Sequence, residues 1–96
     1  MNKYELALVL SAKLEDDARS EKLEKVKKMI EHFGGSITNV DDWGKKRLAY
    51  EIQKMNEAFY YFIQFDANTD APAKLEERLR IEENVIRYLC VRADEA

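Results

Sequence analysis

The sequence has little of several residue types, and each shortage excludes a class of protein. Its 96 residues include three glycines, one proline, one cysteine and one histidine. So few glycines and prolines, with 46% hydrophobic residues, exclude a linker or a disordered tail. The single cysteine, Cys90, has no internal disulfide partner, which suits a reducing cytoplasm. No hydrophobic run reaches membrane-spanning length, and the first ten residues do not form a signal sequence. We therefore expect one soluble, cytoplasmic domain over residues 1–96.

The shortage of histidine and cysteine also argues against catalysis. His32 is expected in the last turn of a helix, where a positive charge is favourable, and Cys90 in a strand beneath the helices. Three acidic pairs, Asp16-Asp17, Asp41-Asp42 and Glu82-Glu83, consist of adjacent residues whose side chains diverge, so they indicate solvated surface. No glycine-rich phosphate loop is present. The sequence predicts no catalytic residue, no metal site and no cofactor.

Hydrophobic periodicity predicts the order strand, helix, strand, strand, helix, strand. The first helix extends from about 15 to 33 and ends at Gly34-Gly35, while the second begins near Asp70 and is expected to end at Asn84. The predicted strands are 3–10, 36–52, 58–67 and 85–92, with a polar turn at 54–57.

Two strand–helix–strand units joined by a hairpin predict an α+β, ferredoxin-like βαββαβ sandwich. In this fold a four-stranded antiparallel sheet has two helices on one face. Right-handed crossovers place the first and third strands at the centre of the sheet. The second strand is expected to bend or bulge around Gly44. The other face of the sheet is left open, and we expect function there.

Alternation along the third strand assigns two aromatic residues to the open face. Gln64 is the polar member of the set that includes Tyr60 and Phe62, so this set is predicted to point away from the helices. An exposed aromatic pair forms an apolar patch that a protein partner or a stacked base would cover. The run "FYYFIQF" also resembles the third strand of the RNA-recognition motif, although it lacks the glycines of that signature.

The second and fourth strands are predicted to add cations to the open face. Leu48 belongs to an apolar set with Tyr50 and Ile52, which leaves Lys45 and Arg47 on the other side of the strand. On the fourth strand, an outward Arg87 turns Ile86, Tyr88 and Cys90 inward. The predicted open face displays Lys3, Lys45, Arg47, Tyr60, Phe62 and Arg87.

The stretch "GKKRLAYEI" places Lys45, Lys46 and Arg47 in a strand of a chain whose net charge is −3. Lysines on an edge strand prevent it from pairing with other chains. Cations in such a run also bind the phosphates of a nucleic acid. Composition and spacing alone do not decide between these two roles.

From Gly44 through "RLAYEI" this stretch resembles the signature of bacterial small-subunit ribosomal protein six. "KYE" near the start, Gly34-Gly35 and "LRIEENVIR" are also similar to that family, so the resemblance covers nearly the whole chain. Glu51 and Ala58 depart from it, where Pro and Gly are common. The resemblance implies a ferredoxin-like fold, no enzymatic activity and a place in the small ribosomal subunit. It also implies binding to the central domain of the subunit RNA beside the small basic ribosomal protein eighteen.

The family pattern implies RNA-binding roles for four cations, to which Lys45 is added by its predicted face and Arg92 as a sixth residue. The predicted phosphate contacts are Lys3, Lys45, Lys46, Arg47, Arg87 and Arg92. Tyr60 and Phe62 are assigned to the protein partner. A net acidic protein repels RNA at long range, so these local cations must bind it, while the acidic surface attracts a basic neighbour.

The sequence leaves two alternatives open. One is a dimeric regulatory module of the same fold that binds a small ligand in a concave polar pocket. The other is a single-strand RNA-binding protein that stacks bases on Tyr60 and Phe62.

Overall fold

The structure, a computed structural model, describes the backbone of residues 2–52 and 55–93 and the side chains of residues 2–48 and 56–93. The elements in chain order are β1 (Asn2–Ser11), α1 (Asp16–His32), β2 (Ser36–Ile52), β3 (Met55–Ala67), α2 (Ala71–Leu79) and β4 (Val85–Arg92). All neighbouring strands are antiparallel, in the order β2-β3-β1-β4. The predicted ferredoxin-like α+β fold, with the first and third strands at the centre, is confirmed.

Helix α1 forms because its apolar residues recur on one side. Val26, Met29 and Ile30 are buried there, and the acidic Asp16 and Asp17 in the first turn complement the positive end of the helix dipole. Beyond the helix, the backbone turns away through Gly34, whose φ of 87° is a left-handed conformation that glycine adopts without strain.

Helix α2 is short and also one-sided. Its buried residues Ala71, Leu75 and Leu79 are spaced by four. The helix ends at Leu79, so the prediction that Asn84 ends it is wrong. Asn84 instead has a φ of 67° just before β4, and its carbonyl accepts a hydrogen bond from the Ser11 backbone N–H at 2.9 Å. This bond ties the start of β4 to the end of β1.

The main core lies between the helices and one face of the sheet, which we call the helix side. Leu6, Leu8 and Ile63 are fully buried there, and burying such side chains contributes about 1.5–3 kcal/mol each. The buried residues of this core are Tyr4, Leu6, Leu8, Leu10, Val26, Met29, Ile30, Tyr61, Ile63, Phe65, Ala67, Ala71, Leu75 and Leu79.

Strand β2 is irregular where the sequence predicted a bulge. Its pairing with β3 shifts between Ile37 and Asn39 and again between Asp42 and Gly44, where Gly44 has a φ of 72°. The predicted irregularity near Gly44 is confirmed. An extra residue in one strand moves every later side chain to the opposite face, because side chains alternate with a period of two.

The start of β3 differs from the prediction. The polar turn was expected at 54–57, but β3 begins at Met55, which is paired with Ile52, so residues 55–57 belong to a strand. The pairing is not continuous, because a further register shift lies between Arg47 and Ile52 before pairing resumes at Ile52 opposite Met55. Position 54 of the predicted turn lies outside the described residues.

Candidate nucleic-acid and protein interface

The face of the sheet away from the helices, the open face, is built from rows of paired residues, because residues directly opposite in an antiparallel sheet share a face. Tyr60 and Phe62 both lie on it, as predicted: Tyr60 is opposite Val9, and Phe62 is opposite Ala7. The same registers place Leu89 beside Ala7 and Arg87 beside Val9. The outward position of Arg87 is therefore confirmed.

The middle of the open face is an apolar strip formed by Trp43, Phe62, Leu89 and Val91. The rings of Trp43 and Phe62 are in contact, with centroids 4.7 Å apart and planes inclined at 58°. Trp43 is 55% exposed, Leu89 57% and Val91 44%. Contiguous exposed apolar side chains of this kind are typical of a surface that contacts another molecule.

Next to the strip, Tyr60 belongs to a second, smaller core on the open face. Val9, Leu48 and Ala58 are buried there, and Tyr60 and Ile86 pack against them. Two predictions are wrong here, since Leu48 and Ile86 were both expected on the helix side. The Asp42/Gly44 shift in β2 and a second shift in the β1–β4 pairing moved them to the open face. The predicted faces of Tyr50 and Ile52 lie outside the described side chains.

A chain of hydrogen bonds crosses the open face on the other side of the strip. The Gln64 amide donates to the Glu5 carboxylate at 2.6 Å. The Asn39 amide donates to Gln64 Oε1 at 2.8 Å and to the Asp41 carboxylate at 3.1 Å. This polar chain, Glu5-Gln64-Asn39-Asp41, holds two carboxylates in fixed positions beside the apolar strip. Fixed carboxylates of this kind accept hydrogen bonds from guanidinium or ammonium groups.

The predicted phosphate-binding cations are divided between the two faces. Lys46 is opposite Ala58, Arg87 opposite Val9 and Lys3 opposite Asp66, and these three lie on the open face. Lys45 is opposite Phe59, Arg47 opposite Glu57 and Arg92 opposite Tyr4, and these three lie on the helix side. The prediction that Lys45 and Arg47 are on the open face is wrong, because the shift at Asp42/Gly44 reverses the alternation after it.

The open-face cations do not form one cluster. Lys46 and Arg87 lie near the same end of the sheet, on the two edge strands, about 15 Å apart at the usual strand spacing. Lys3 lies eight residues along β1 from Ser11, whose partner Ala58 faces Lys46, and is therefore about 27 Å from that end. We call the Lys46 and Arg87 end the cationic end. Arg92, on the helix side, donates a hydrogen bond to Asn2 Oδ1 at 2.9 Å.

On the helix side, the cations near the hairpin surround an aromatic ring. The Arg19 guanidinium lies 3.9 Å from the centroid of the Phe59 ring, and Lys45 Nζ lies 5.8 Å from it. Arg19 also donates to the Tyr61 hydroxyl at 2.9 Å and pairs with Asp16 at 3.1 Å. Burial raises the pKa of Tyr61 above its usual value, so the hydroxyl is neutral at physiological pH. This network fixes α1 to β3 beside the exposed Lys45.

Histidine and cysteine, which often serve as base and nucleophile in enzymes, occur once each in this chain, at His32 and Cys90. His32 is exposed at the end of α1, with its ring 5.2 Å from that of Phe33. Burial, with a contribution from the Glu76 carboxylate, raises the pKa of Cys90 to about 12, which keeps the thiol protonated. Over residues 2–52 and 55–93, no three His, Cys, Asp or Glu side chains are grouped to hold a metal ion. In the same part of the chain, neither helix has the length and apolar character needed to span a membrane.

Comparison with known proteins identifies the family. The family model described as "Ribosomal protein S6" matches residues 3–92. The chain belongs to the ribosomal protein S6 family. Similar proteins named "Small ribosomal subunit protein bS6" include one from Alkaliphilus oremlandii, 44% identical over 98% of this chain and 99% of that protein. Another, from Caldanaerobacter subterraneus subsp. tengcongensis, is 42% identical over 99% of this chain and all of its own. The predicted resemblance is confirmed, and with it the expectation of a ribosomal protein located on the ribosome in the cytoplasm.

A solved structure of the S6 family also matches the fold. The crystal structure of 30S ribosomal protein S6 from Thermotoga maritima is 31% identical and superposes with a TM-score of 0.91, covering 96% of this chain and 87% of that one. The S6 fold therefore extends over both helices and all four strands.

Sequence reasoning missed three residues of the apolar strip in this S6-family chain. Trp43 lies between Asp42 and Gly44 at the register shift, and Leu89 and Val91 alternate with the inward Tyr88 and Cys90. A signal was present for the last two, since an outward Arg87 requires Leu89 and Val91 to be outward as well. Trp43 gave no such signal, because its face depends on which residue the bulge inserts.

Proposed function

We propose that this S6-family protein is a non-enzymatic, structural component of the small ribosomal subunit. In this role it binds the central domain of the subunit RNA beside the small basic ribosomal protein eighteen. The observation that best supports the proposal is the division of the open face. Two fixed carboxylates, an apolar strip and a cationic end follow one another along the sheet, so one face offers separate surfaces to a cationic protein and to a polyanion.

The apolar strip and the polar chain are the proposed contact for the protein partner. Trp43 and Leu89 are large, exposed and central, which is typical of residues that dominate a protein–protein interface. Glu5 and Asp41 beside them favour a basic partner over an acidic one. Phe62 belongs to this surface. Tyr60, also assigned to the partner, is partly occupied by its packing in the second core, and we expect its contribution to be smaller.

The cationic end is the proposed main contact for RNA on the open face. A sugar–phosphate chain that touches both Lys46 and Arg87 must cross the end of the sheet from one edge strand to the other. The other proposed phosphate contacts are Lys3, Lys45, Arg47 and Arg92. Lys3, at the far end of the open face, would contact a different stretch of RNA from Lys46.

The RNA contact is tested by the salt dependence of binding. We expect the double variant Lys46→Ala/Arg87→Ala to bind the central-domain RNA, in the presence of protein eighteen, with a log–log salt slope lower by about 1.4–1.8. The matched control is Lys28→Ala/Arg78→Ala, which removes the same charges from exposed positions on the two helices. An unchanged slope in the first variant, or an equal change in the control, would remove the cationic end from the proposal.

The protein contact is tested by calorimetric titration with protein eighteen. Trp43→Ala and Leu89→Ala are each expected to weaken binding by about tenfold or more, as central apolar contacts do. The matched control is Ile81→Ala, because Ile81 is 73% exposed but lies in the turn after α2, outside the strip. Equal losses in the strip and control variants would show that the strip is not the interface.

Single-strand RNA binding remains a second candidate, and the exposed ring of Trp43 favours it, because bases stack on such rings. Trp43 is the sole tryptophan of the chain, so its fluorescence reports contacts with this ring directly. Quenching by short RNA oligonucleotides without protein eighteen would support stacking. Quenching or a spectral shift only when protein eighteen is added would support the protein interface.

A further inference from the structure

The end of the β2–β3 pair extends beyond the rest of the sheet. Strand β1 pairs with β3 only as far as Ser11 opposite Ala58, and β4 reaches β1 only as far as Leu10. Beyond those pairs, β2 and β3 pair at Arg47 opposite Glu57 and, after a register shift, at Ile52 opposite Met55. We call residues 45–52 and 55–59 the arm. Within the arm, β1 pairs only with Ala58 and Phe59, so the rest of the arm can be approached by a ligand from both sides.

Three successive cations lie at the base of this arm and alternate between its sides. Lys45 and Arg47 lie on the helix side, and Lys46 lies on the open side. All three are exposed, and no ion pair of theirs is formed within the part of the chain that the structure describes. The neighbouring carboxylate is Glu57, opposite Arg47, whereas Lys46 faces Ala58 and has no acid opposite it. Positive charge is therefore available on both sides of the arm.

We infer that the arm lies between two separate segments of RNA backbone, one contacted by Lys45 and Arg47 and the other by Lys46. This rests on the proposed function that the protein binds ribosomal RNA. Because successive side chains of a strand point to opposite faces, one sugar–phosphate chain that runs along one side contacts only the cations of that side. A basic partner protein does not fit the Lys46 position, because like charges repel. A second polyanion segment satisfies both sides.

The helix side of the arm has a further property that suits a polyanion. Lys45 lies near the Phe59 ring, whose other close cation is Arg19, and Arg19 is already paired with Asp16 and hydrogen-bonded to Tyr61. Arg19 is thus held in place as part of the structure, while Lys45 and Arg47 remain exposed for an external anion. On the open side, Lys46 is next to the second core, because its partner Ala58 is buried there with Val9 and Leu48.

The test combines hydroxyl-radical footprinting of the central-domain RNA with salt-dependent binding, using the full chain with protein eighteen. The unaltered protein is expected to protect at least two RNA segments near the arm. Lys46→Glu should remove protection of one segment, and Lys45→Glu/Arg47→Glu protection of the other. In the matched Ala variants the salt slope should fall by about 0.7–0.9 and 1.4–1.8 respectively. Lys28→Glu/Arg78→Glu, on the helices, should leave both protections unchanged.

The outcomes separate this inference from the function on which it rests. If both sets of variants lose protection of the same segment, or if one set alters neither protection nor slope, the two-sided arm is overturned while RNA binding stands. If the unaltered protein protects no RNA, the proposed function itself is overturned. Circular dichroism melts of each variant ensure that a lost footprint is not lost folding, which is not expected for exposed side chains.

Discussion

The two faces of this sheet are built from the same strands by the same alternation, yet they differ in what covers them. On the helix side, Leu6 and Ile63 are fully buried under α1 and α2. On the open face, Leu89 is 57% exposed although Cys90 next to it packs inward. Apolar side chains under the helices and in the second core stabilise the fold, whereas those of the apolar strip remain exposed. Successive hydrophobic residues of one strand are thus alternately packed against the core and exposed.

The largest expected difference between the faces is in stability. Leu6→Ala should lower the free energy of unfolding by about 2–5 kcal/mol, because it removes a fully buried side chain and leaves a cavity. Leu89→Ala should change it by no more than about 0.5 kcal/mol, because the side chain is mostly in water already. Urea unfolding measures both. Similar losses for the two variants would mean that the open face contributes to folding as the helix side does.

Thiol reactivity should separate adjacent positions on β4. The pKa of Cys90 is raised to about 12 by burial and by the charge of Glu76, so little reactive thiolate exists at pH 8. In the double variant Leu89→Cys/Cys90→Ala the thiol moves to the open face. We expect iodoacetamide to modify it at least about a hundredfold faster than Cys90 in the folded protein.

Unfolding in urea provides the control for that comparison, because both thiols should then react at similar rates. If Cys90 were modified as quickly as the residue-89 thiol in the folded state, β4 would not separate the two faces as its pairing indicates.

The smallest expected effect concerns an ion-pair cluster between α1 and the turn after α2. Glu82 accepts a hydrogen bond from Lys22 at 2.9 Å and pairs with Lys25 at 3.1 Å, and its side chain is only 9% exposed. The bond from Lys22, with a smaller contribution from Lys25, lowers the pKa of Glu82. A lowered folded-state pKa stabilises the protein above the ordinary glutamate pKa of about 4.3, and this stabilisation is lost as the pH falls through the lowered value.

Glu82→Gln should therefore cost about 1 kcal/mol or less at pH 7, and the difference from the unaltered protein should shrink below about pH 4. Urea unfolding between pH 3 and 7 measures this. Glu21→Gln is the control for net charge, because Glu21 is an exposed carboxylate of α1 that forms none of the ion pairs among the residues that the structure describes. A difference that grew on acidification would contradict the assigned direction.

Hydrophobic periodicity, together with the residues that mark the ends of helices and strands, was sufficient to predict the fold. The limits of β2 and β4 were predicted correctly, because glycines, polar residues and β-branched runs mark them locally. The irregularity near Gly44 was also predictable, since a glycine inside a strand often accompanies a bulge. The order of strands followed from chain connectivity alone.

The faces of individual cations were not predictable in the same way. A glycine indicates that a bulge is near, but the local sequence does not tell which neighbour is the inserted residue. Here Trp43 lies at the shift, so Lys45 and Arg47 moved to the helix side and Leu48 to the open face. That choice depends on packing across strands, including the contact of Trp43 with Phe62, and such contacts exist only in the folded sheet.

Because of the register shift at Trp43, inserting or deleting a residue in β2 has a different structural effect from substituting one. A substitution in this strand alters one side chain in place. Deleting one residue here would move every later side chain of β2 to the opposite face of the sheet. The Lys46 ammonium and the Leu48 isobutyl group would both move to the helix side. This segment should therefore tolerate point substitutions far better than deletions, because a single deletion alters both faces of the sheet at once.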